Sequence, residues 1–233
     1  MDSSGNLESR ITEGGLCLSF RWSYSSLSTY EKCAAQYRYR YEENIPWPQS
    51  QTANRGQIAH TNFEAFLKGD VNELPSEFDY YTQFLSQLKT ANVFPEIKLA
   101  FNEKWDIVEW DSNDVWFRCV MDLLVETPDE VAIYDWKTGK VYDDHFHQRE
   151  IYAIAGLLKY PDLKQITTTH VYLDIRENRK TVFPRELALN VLRPRWEERV
   201  ARLRGDADKI PFPGFHCRYC PYSSKFGKGP CQF

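Results

Sequence analysis

The chain predicts an α/β fold, with a mixed central sheet flanked by helices, a helical region before it and a cysteine-rich tail after it. Three observations carry this expectation. Trp116 to Lys137 reads WFRCVMDLLVETPDEVAIYDWK, two apolar β-rich runs parted by the turn signal Thr127-Pro128-Asp129-Glu130. Further strand-like runs lie on either side of it, Glu96 to Phe101 and Thr168 to Ile175. Between the hairpin and the late strand lies a helical stretch ending near Lys159.

The elements follow in order. MDSSGNLESRITEGG is polar with no apolar h-region, so it reads as a flexible tail and not as a secretory signal. Leu16 to Trp22 is a short strand or extended lead-in. Ser23 to Glu43 reads as one helix, capped by Ser25 or Ser28 with Glu31 in capping-box position, and ended by Asn44 and Pro46. Ile58, Phe63, Phe66 and Leu67 form an apolar stripe at helical spacing, and His60 and Glu64 share a face of that helix. Tyr80 to Lys89 is a further helix with Phe84, Leu85 and Leu88 inward. Glu103 to Glu109 is expected to partner the strand beginning at Glu96.

After the hairpin, Gly139 breaks the strand, and Asp143 or Asp144 caps a helix on which Gln148 and Tyr152 share a face. Glu177-Asn178-Arg179 is the expected turn after the late strand, with Lys180 to Phe183 returning. Leu187 to Leu203 is a charged helix interrupted by Pro194. The domain organisation expected is a tail and lead-in over 1–22, a helical region over 23–95, a core over 96–210 and a cysteine-rich tail over 211–233.

Composition narrows the class. The 233 residues are 42% hydrophobic and 27% charged, a globular balance, and no apolar run reaches the ~18 residues of a membrane span. The formal net charge of −4 is neutral evidence about nucleic-acid partners. A P-loop motif is absent from the sequence, so no motor of that kind is expected. A cytoplasmic protein is the expectation.

In the hairpin, pairing Glu126 with Val131 sets Asp122 opposite Asp135. Like charges directly opposed are destabilising, and a shared divalent cation relieves them. Lys137 lies two residues beyond Asp135 and leaves the strand on the same face, so two acids and a lysine converge. Solvated charges on a surface hairpin are the alternative, disfavoured by the apolar flank Ala132-Ile133-Tyr134.

Of the six cysteines, Cys217, Cys220 and Cys231 crowd the loop-rich tail, with the first two as CxxC. Clustered cysteines in a reducing compartment point to metal, and a tetrathiolate site needs a fourth ligand. Cys33 is the first candidate, Cys17 the second and Cys119 the third. Spacing alone leaves zinc and iron–sulfur open.

Taken in order, Cys33, Gly56-x-x-x-His60, Asp122, Asp135-Trp136-Lys137, Gln148-x-x-x-Tyr152 and the three tail cysteines resemble the PD-(D/E)XK nuclease superfamily, in particular its RecB/Cas4-like exonucleases. The resemblance covers the chain from about Ser23 onward. One departure is R-C-V-M-D, with Cys119 where G-x-x-D is commoner. The resemblance implies a restriction-endonuclease-like core and a metal-dependent DNA exonuclease of recombination, repair or phage DNA processing. It implies Mg2+ or Mn2+ on His60, Asp122, Asp135 and the carbonyl of Trp136, and catalytic roles for Asp122, Asp135, Lys137, Gln148 and Tyr152. It also implies a [4Fe-4S] cluster, in preference to zinc, on Cys33, Cys217, Cys220 and Cys231, tying the tail to the N-terminal helix.

DNA is the implied partner, with a recombination or helicase partner or an oligomer left open, no membrane, and a bacterial or phage-infected cell as the setting. Two further readings stay open: DNA-end trimming with partners in CRISPR adaptation, and a non-catalytic DNA-binding module of the same fold. Glu96 is a candidate further acid, and Arg176, Arg179 and Lys180 are candidate phosphate contacts. The run Tyr37 to Tyr41, alternating Tyr and Arg, either meets bases and phosphates or forms a solvated face.

Overall fold

In this computed structural model the described residues are 20–48 and 51–233. The expected tail, Cys17 and most of the lead-in lie outside them. A six-stranded mixed sheet has the order β2-β1-β3-β4-β5-β6. Its strands are β1 (Asn92–Phe101), β2 (Ile107–Val108), β3 (Phe117–Glu126), β4 (Val131–Lys137), β5 (Gln165–Tyr172) and β6 (Glu177–Pro184). All neighbours are antiparallel except β4 and β5, which are parallel and joined over the sheet through helix α5 (His145–Lys159).

The hairpin register is as expected, with Glu126 opposite Val131 and the ladder running to Leu123 opposite Tyr134. The strand expected at Glu96 begins earlier, at Asn92, and the Glu103 to Glu109 partner shrinks to two paired residues. Asn102 explains this, because its side chain accepts from the N–H groups of Lys104 and Asp106 and closes a tight turn there. The turn after β5 also differs. It falls on Leu173 to Arg176, since Tyr172 pairs with Glu177. Leu173 is buried, and the Asp174 carboxylate accepts from Gly139 N at 2.6 Å, so the apolar-looking segment is the one held in the bend. The outer edge strand β6 exposes Glu177, Arg179 and Lys180.

The helix expected over Ser23 to Glu43 is broken at Cys33. α1 (Tyr24–Lys32) is capped by Ser23 and Ser26 reciprocally, not by Ser25 or Ser28. Cys33 is extended, at φ −164° and ψ 114°, before α2 (Ala34–Tyr37) and a π-helical turn Arg38–Glu42. Tyr37 and Tyr39 are buried, which takes them away from bases and gives them to the core. α3 (Gln51–Lys68) carries His60, and a 3₁₀ turn Ser76–Tyr81 leads into α4 (Thr82–Leu88). Beyond β6, α6 (Arg185–Leu187) and a π-helical turn lead without a break into α7 (Arg193–Gly205), so Pro194 follows the π-helical turn and does not interrupt the helical run.

Two apolar layers enclose the sheet. Leu124 and Ile133 pack with α1, α5 and α7, while their neighbours Leu123, Val125 and Tyr134 pack with α3 and α4. Adjacent strand residues face opposite ways, so these layers lie on opposite faces. The alternation slips at Asp122. Met121 joins the α5 layer and Leu123 the α3 layer, although two residues apart on a regular strand would share a face. On β1 the residue opposite is Glu96, which stands at φ 51° and is skipped by the ladder.

Phe63 is fully buried against Phe78, Tyr81 and Trp136, and so joins α3 to β4 beside Asp135. Phe63→Ala is expected to cost about 3–5 kcal/mol, read as a lowered midpoint in urea unfolding.

Candidate active site

Beyond Leu123 and Tyr134 the β3–β4 ladder opens, and the Asp122 side chain enters the gap. Its Oδ2 accepts from Trp136 N at 2.7 Å, satisfying a donor that the ladder no longer uses. Its Oδ1 lies 3.0 Å from His60 Nδ1, and His60 Nε2 lies 3.0 Å from the Trp136 carbonyl. Both ring nitrogens thus face acceptors, which without a metal suits the doubly protonated imidazolium. Burial works against that charge, but the Asp122 carboxylate outweighs it and the His60 pKa is raised. Burial and the nearby Asp135 charge likewise raise Asp122, with His60 and the Trp136 N–H opposing them.

Asp135 is 2% exposed at the inner end of the same opening. Its Oδ1 accepts from Tyr152 Oη at 2.9 Å and from Gln148 Nε2 at 3.1 Å. Its Oδ2 faces Lys137 Nζ at 2.6 Å and His170 Nε2 at 3.8 Å, yet no hydrogen bond of good geometry reaches that oxygen. Lys137 Nζ donates to Gln148 Oε1 at 2.6 Å, which leaves the Gln148 amide nitrogen to face Asp135 and, at 2.6 Å, the Tyr152 oxygen. Burial pushes Asp135 up, but Lys137 outweighs it and the carboxyl is held below its usual range. Burial and the Asp135 charge keep the Tyr152 hydroxyl well above the usual phenol range, so it stays a donor.

The structure therefore brings together every residue expected at the acid–acid–lysine centre. A cavity of about 170 Å³ opens from it between α3 and the sheet, lined by His60, Glu64, Glu96 and Asp122 among others. Among the described residues no three His, Cys, Asp or Glu side chains close on one ion by themselves. The main-chain carbonyl of Trp136 supplies a further oxygen beside His60 and Asp122. Carboxylate, carbonyl and imidazole donors, with one buried Asp135 oxygen lacking a hydrogen bond, are chemistry that fits a hard divalent cation.

His170 was not anticipated from the sequence. It pairs with Asp135 in the parallel β4–β5 register, is fully buried, and makes no hydrogen bond through either nitrogen. Burial lowers its pKa to about 3, so it is neutral. A histidine inside the apolar run of β5 was the available signal. Of the candidate phosphate contacts, Arg179 pairs with Glu177, Lys180 lies near Glu130, and Arg176 stacks on Tyr80 at 4.2 Å.

A second cluster lies where the tail meets the N-terminal helices. Cys33, Cys217, Cys220 and Cys231 line one pocket, and all described cysteines are free thiols. The break at Cys33 presents this residue there. Tyr222 Oη donates to the Ile45 carbonyl at 2.7 Å, and Cys231 N donates to the Tyr222 carbonyl at 2.8 Å, seating the tail. Burial raises the Cys220 thiol, with smaller contributions from Cys33 and Cys231. Cys119 lies instead in the α5 layer, where burial pushes its thiol far up.

Gly229 lets the tail fold back on itself, since a Cβ there would lie 2.3 Å from the Tyr222 Cα. Gly229→Ala is therefore expected to displace the tail at a cost of about 1–3 kcal/mol, seen as faster proteolysis near the C-terminus.

No curated protein matches the chain. A solved structure from Eubacterium rectale, described as a candidate exonuclease, aligns at TM-score 0.52 and 13% identity over 86% of this chain and 86% of that one. That is a likeness of fold. The structure of SSO0001 aligns at TM-score 0.43 and 15% identity, over 89% of this chain and 86% of that one. The PD-(D/E)XK nuclease superfamily matches residues 21–224, which span the opened hairpin, its helices and most of the cysteine tail. The chain belongs to the PD-(D/E)XK nuclease superfamily.

Proposed function

We propose that this nuclease is a divalent-metal-dependent DNA exonuclease whose metal ligands are His60, Asp122, Asp135 and the Trp136 carbonyl. The observation that carries this is the convergence of two buried carboxylates, an imidazole and a lysine where β3 and β4 part. The donor set suits Mg2+ or Mn2+. Such an ion, when bound, lowers the pKa of water and neutralises charge developing on a phosphodiester. Lys137 orients the nucleophile or stabilises that developing charge from its position 2.6 Å from Asp135. Tyr152 fixes the Asp135 carboxylate by donating to it, and Gln148 holds Lys137 in place while lying next to the attacked strand.

Preference for strand ends rests on the order of motifs shared with RecB/Cas4-like exonucleases. A [4Fe-4S] cluster on Cys33, Cys217, Cys220 and Cys231 would be structural, drawing both ends of the chain together; the shared pocket supports it. Recombination, repair or phage DNA processing is the setting, alone or beside a helicase.

End-labelled single- and double-stranded DNA incubated with Mg2+ or Mn2+ tests the proposal. Progressive release of label from one end is expected, abolished by chelation. Internal cuts in circular DNA would overturn the exonuclease assignment. An inert protein with its cysteine site loaded would favour the DNA-binding module or the partner-dependent enzyme.

A further inference from the structure

A second cavity, of about 310 Å³, lies against the other side of the site. Its walls include Tyr24, Ser25, Trp110, Arg118, Gln148 and Tyr152. The size falls at the low end of the roughly 300–1,000 Å³ typical of pockets for small organic ligands. Val120 lines both this cavity and the one beside His60 and Asp122, so the two adjoin across a single exposed residue of β3. Arg118, Val120 and Asp122 alternate with buried Phe117, Cys119 and Met121, and therefore share the outward side of the strand.

The chemistry of the cavity is specific. Arg118 lays its guanidinium over the Trp110 ring at 4.7 Å and donates to the Trp110 carbonyl at 2.7 Å, which fixes ring and cation as one unit. Its Nε is buried without a hydrogen-bond partner, although Asp111 lies 3.7 Å from the same guanidinium. An indole, a phenol and a planar cation around a nucleoside-sized space suit a flat π system bearing hydrogen-bond acceptors. Gln148 and Tyr152 belong both to this wall and to the network around Asp135. Whatever fills the cavity therefore adjoins the network around Asp135.

We propose that the Tyr24–Trp110–Arg118 cavity is a nucleotide subsite that takes one unpaired base of the DNA strand next to the scissile phosphodiester. This rests on the nuclease reading above, and it adds a substrate preference. A base must leave its duplex partner to enter, so a single-stranded or frayed end is favoured over a closed blunt end.

The test compares wild type with Trp110→Ala, Trp110→Phe and Arg118→Gln in the full chain. KM for a single-stranded oligonucleotide should rise at least about tenfold in Trp110→Ala, the scale of one lost base stack, with a much smaller change in kcat. Arg118→Gln should move the same way, and Trp110→Phe should recover most of the affinity. The preference for single-stranded over blunt duplex DNA should fall by the same factor. An unchanged KM, or an equal loss of kcat on both substrates with a lowered melting temperature, would overturn the subsite. If the wild type cleaves neither DNA, the nuclease assignment has failed separately. Fluorescence anisotropy with a labelled single strand in Ca2+ then reads the subsite, and equal affinity of wild type and Trp110→Ala would overturn it.

Discussion

Lys137→Ala is expected to lower DNA cleavage by roughly 10²–10³-fold while leaving the affinity for Mn2+ intact or stronger. The two halves have one cause. The ammonium sits 2.6 Å from Asp135 Oδ2, and its side chain is 18% exposed, so it acts in a water-poor place where its charge is felt strongly. There it favours negative charge developing on a substrate and disfavours a second cation. Removing it also leaves Asp135, which is 2% exposed, without its main counter-charge. Breaking a buried pair in this way costs about 3–5 kcal/mol, so the metal-free variant should melt lower and regain more stability from Mn2+ than the wild type does. Isothermal titration and thermal melts check the binding half; end-labelled DNA checks the rate. Cleavage above a tenth of wild type would place the chemistry elsewhere. Asp135→Asn is the contrast, expected to lose metal binding and cleavage together.

Cys33→Ser is expected to have the largest effect on structure. Serine nearly preserves shape and size at this buried, extended residue, so packing changes little and the main loss falls on ligand chemistry. On the four-thiolate proposal the purified variant should lose visible absorbance and iron together. Its tail should become sensitive to protease while the sheet survives. The ~10–16 kcal/mol that structural zinc supplies to small peptides sets the scale of what such a site contributes to ordering its segment. A colourless wild type carrying zinc would replace iron–sulfur as the group. Full stability and an intact tail in Cys33→Ser would remove the proposed site.

Much of the site was legible because its parts are local or periodic. Asp122, Asp135 and Lys137 lie on one hairpin whose turn and apolar arms fix the register, which is observed as far as Leu123 opposite Tyr134. Beyond that point the expected pairing of Asp122 with Asp135 gives way to the opening. Helical spacing sets His60 on one face of α3, and Gln148 and Tyr152 on one face of α5, and the resemblance to the superfamily's motifs is what assigned them to the site. What sequence pattern did not disclose depends on contacts made across the chain. Asp174 holds the bend after β5 by accepting from Gly139 N, a partner 35 positions away. Cys33 interrupts a helix that its neighbours would continue by propensity, at a point where the tail docks. The slip at Asp122 is likewise invisible, because it arises from a sheet that opens and a Glu96 backbone turned to φ 51°. His170 reaches Asp135 only through the parallel crossover, and Trp110 meets Arg118 only through a loop.

The sheet ends bear on how the protein behaves when concentrated. An exposed strand edge is a template for another copy, and cross-β growth starts there. Here β2 covers only Ala100 and Phe101 of β1, and the rest of that margin is broken by Pro95, which has no N–H, and by Glu96 at φ 51°. The other, β6, carries Glu177, Arg179 and Lys180 in the open and ends at Pro184. Approaching copies would crowd these exposed charges together and meet a residue with no N–H to share. The sheet is thus defended at both margins against fibrillar association, and millimolar stocks should remain free of cross-β aggregate.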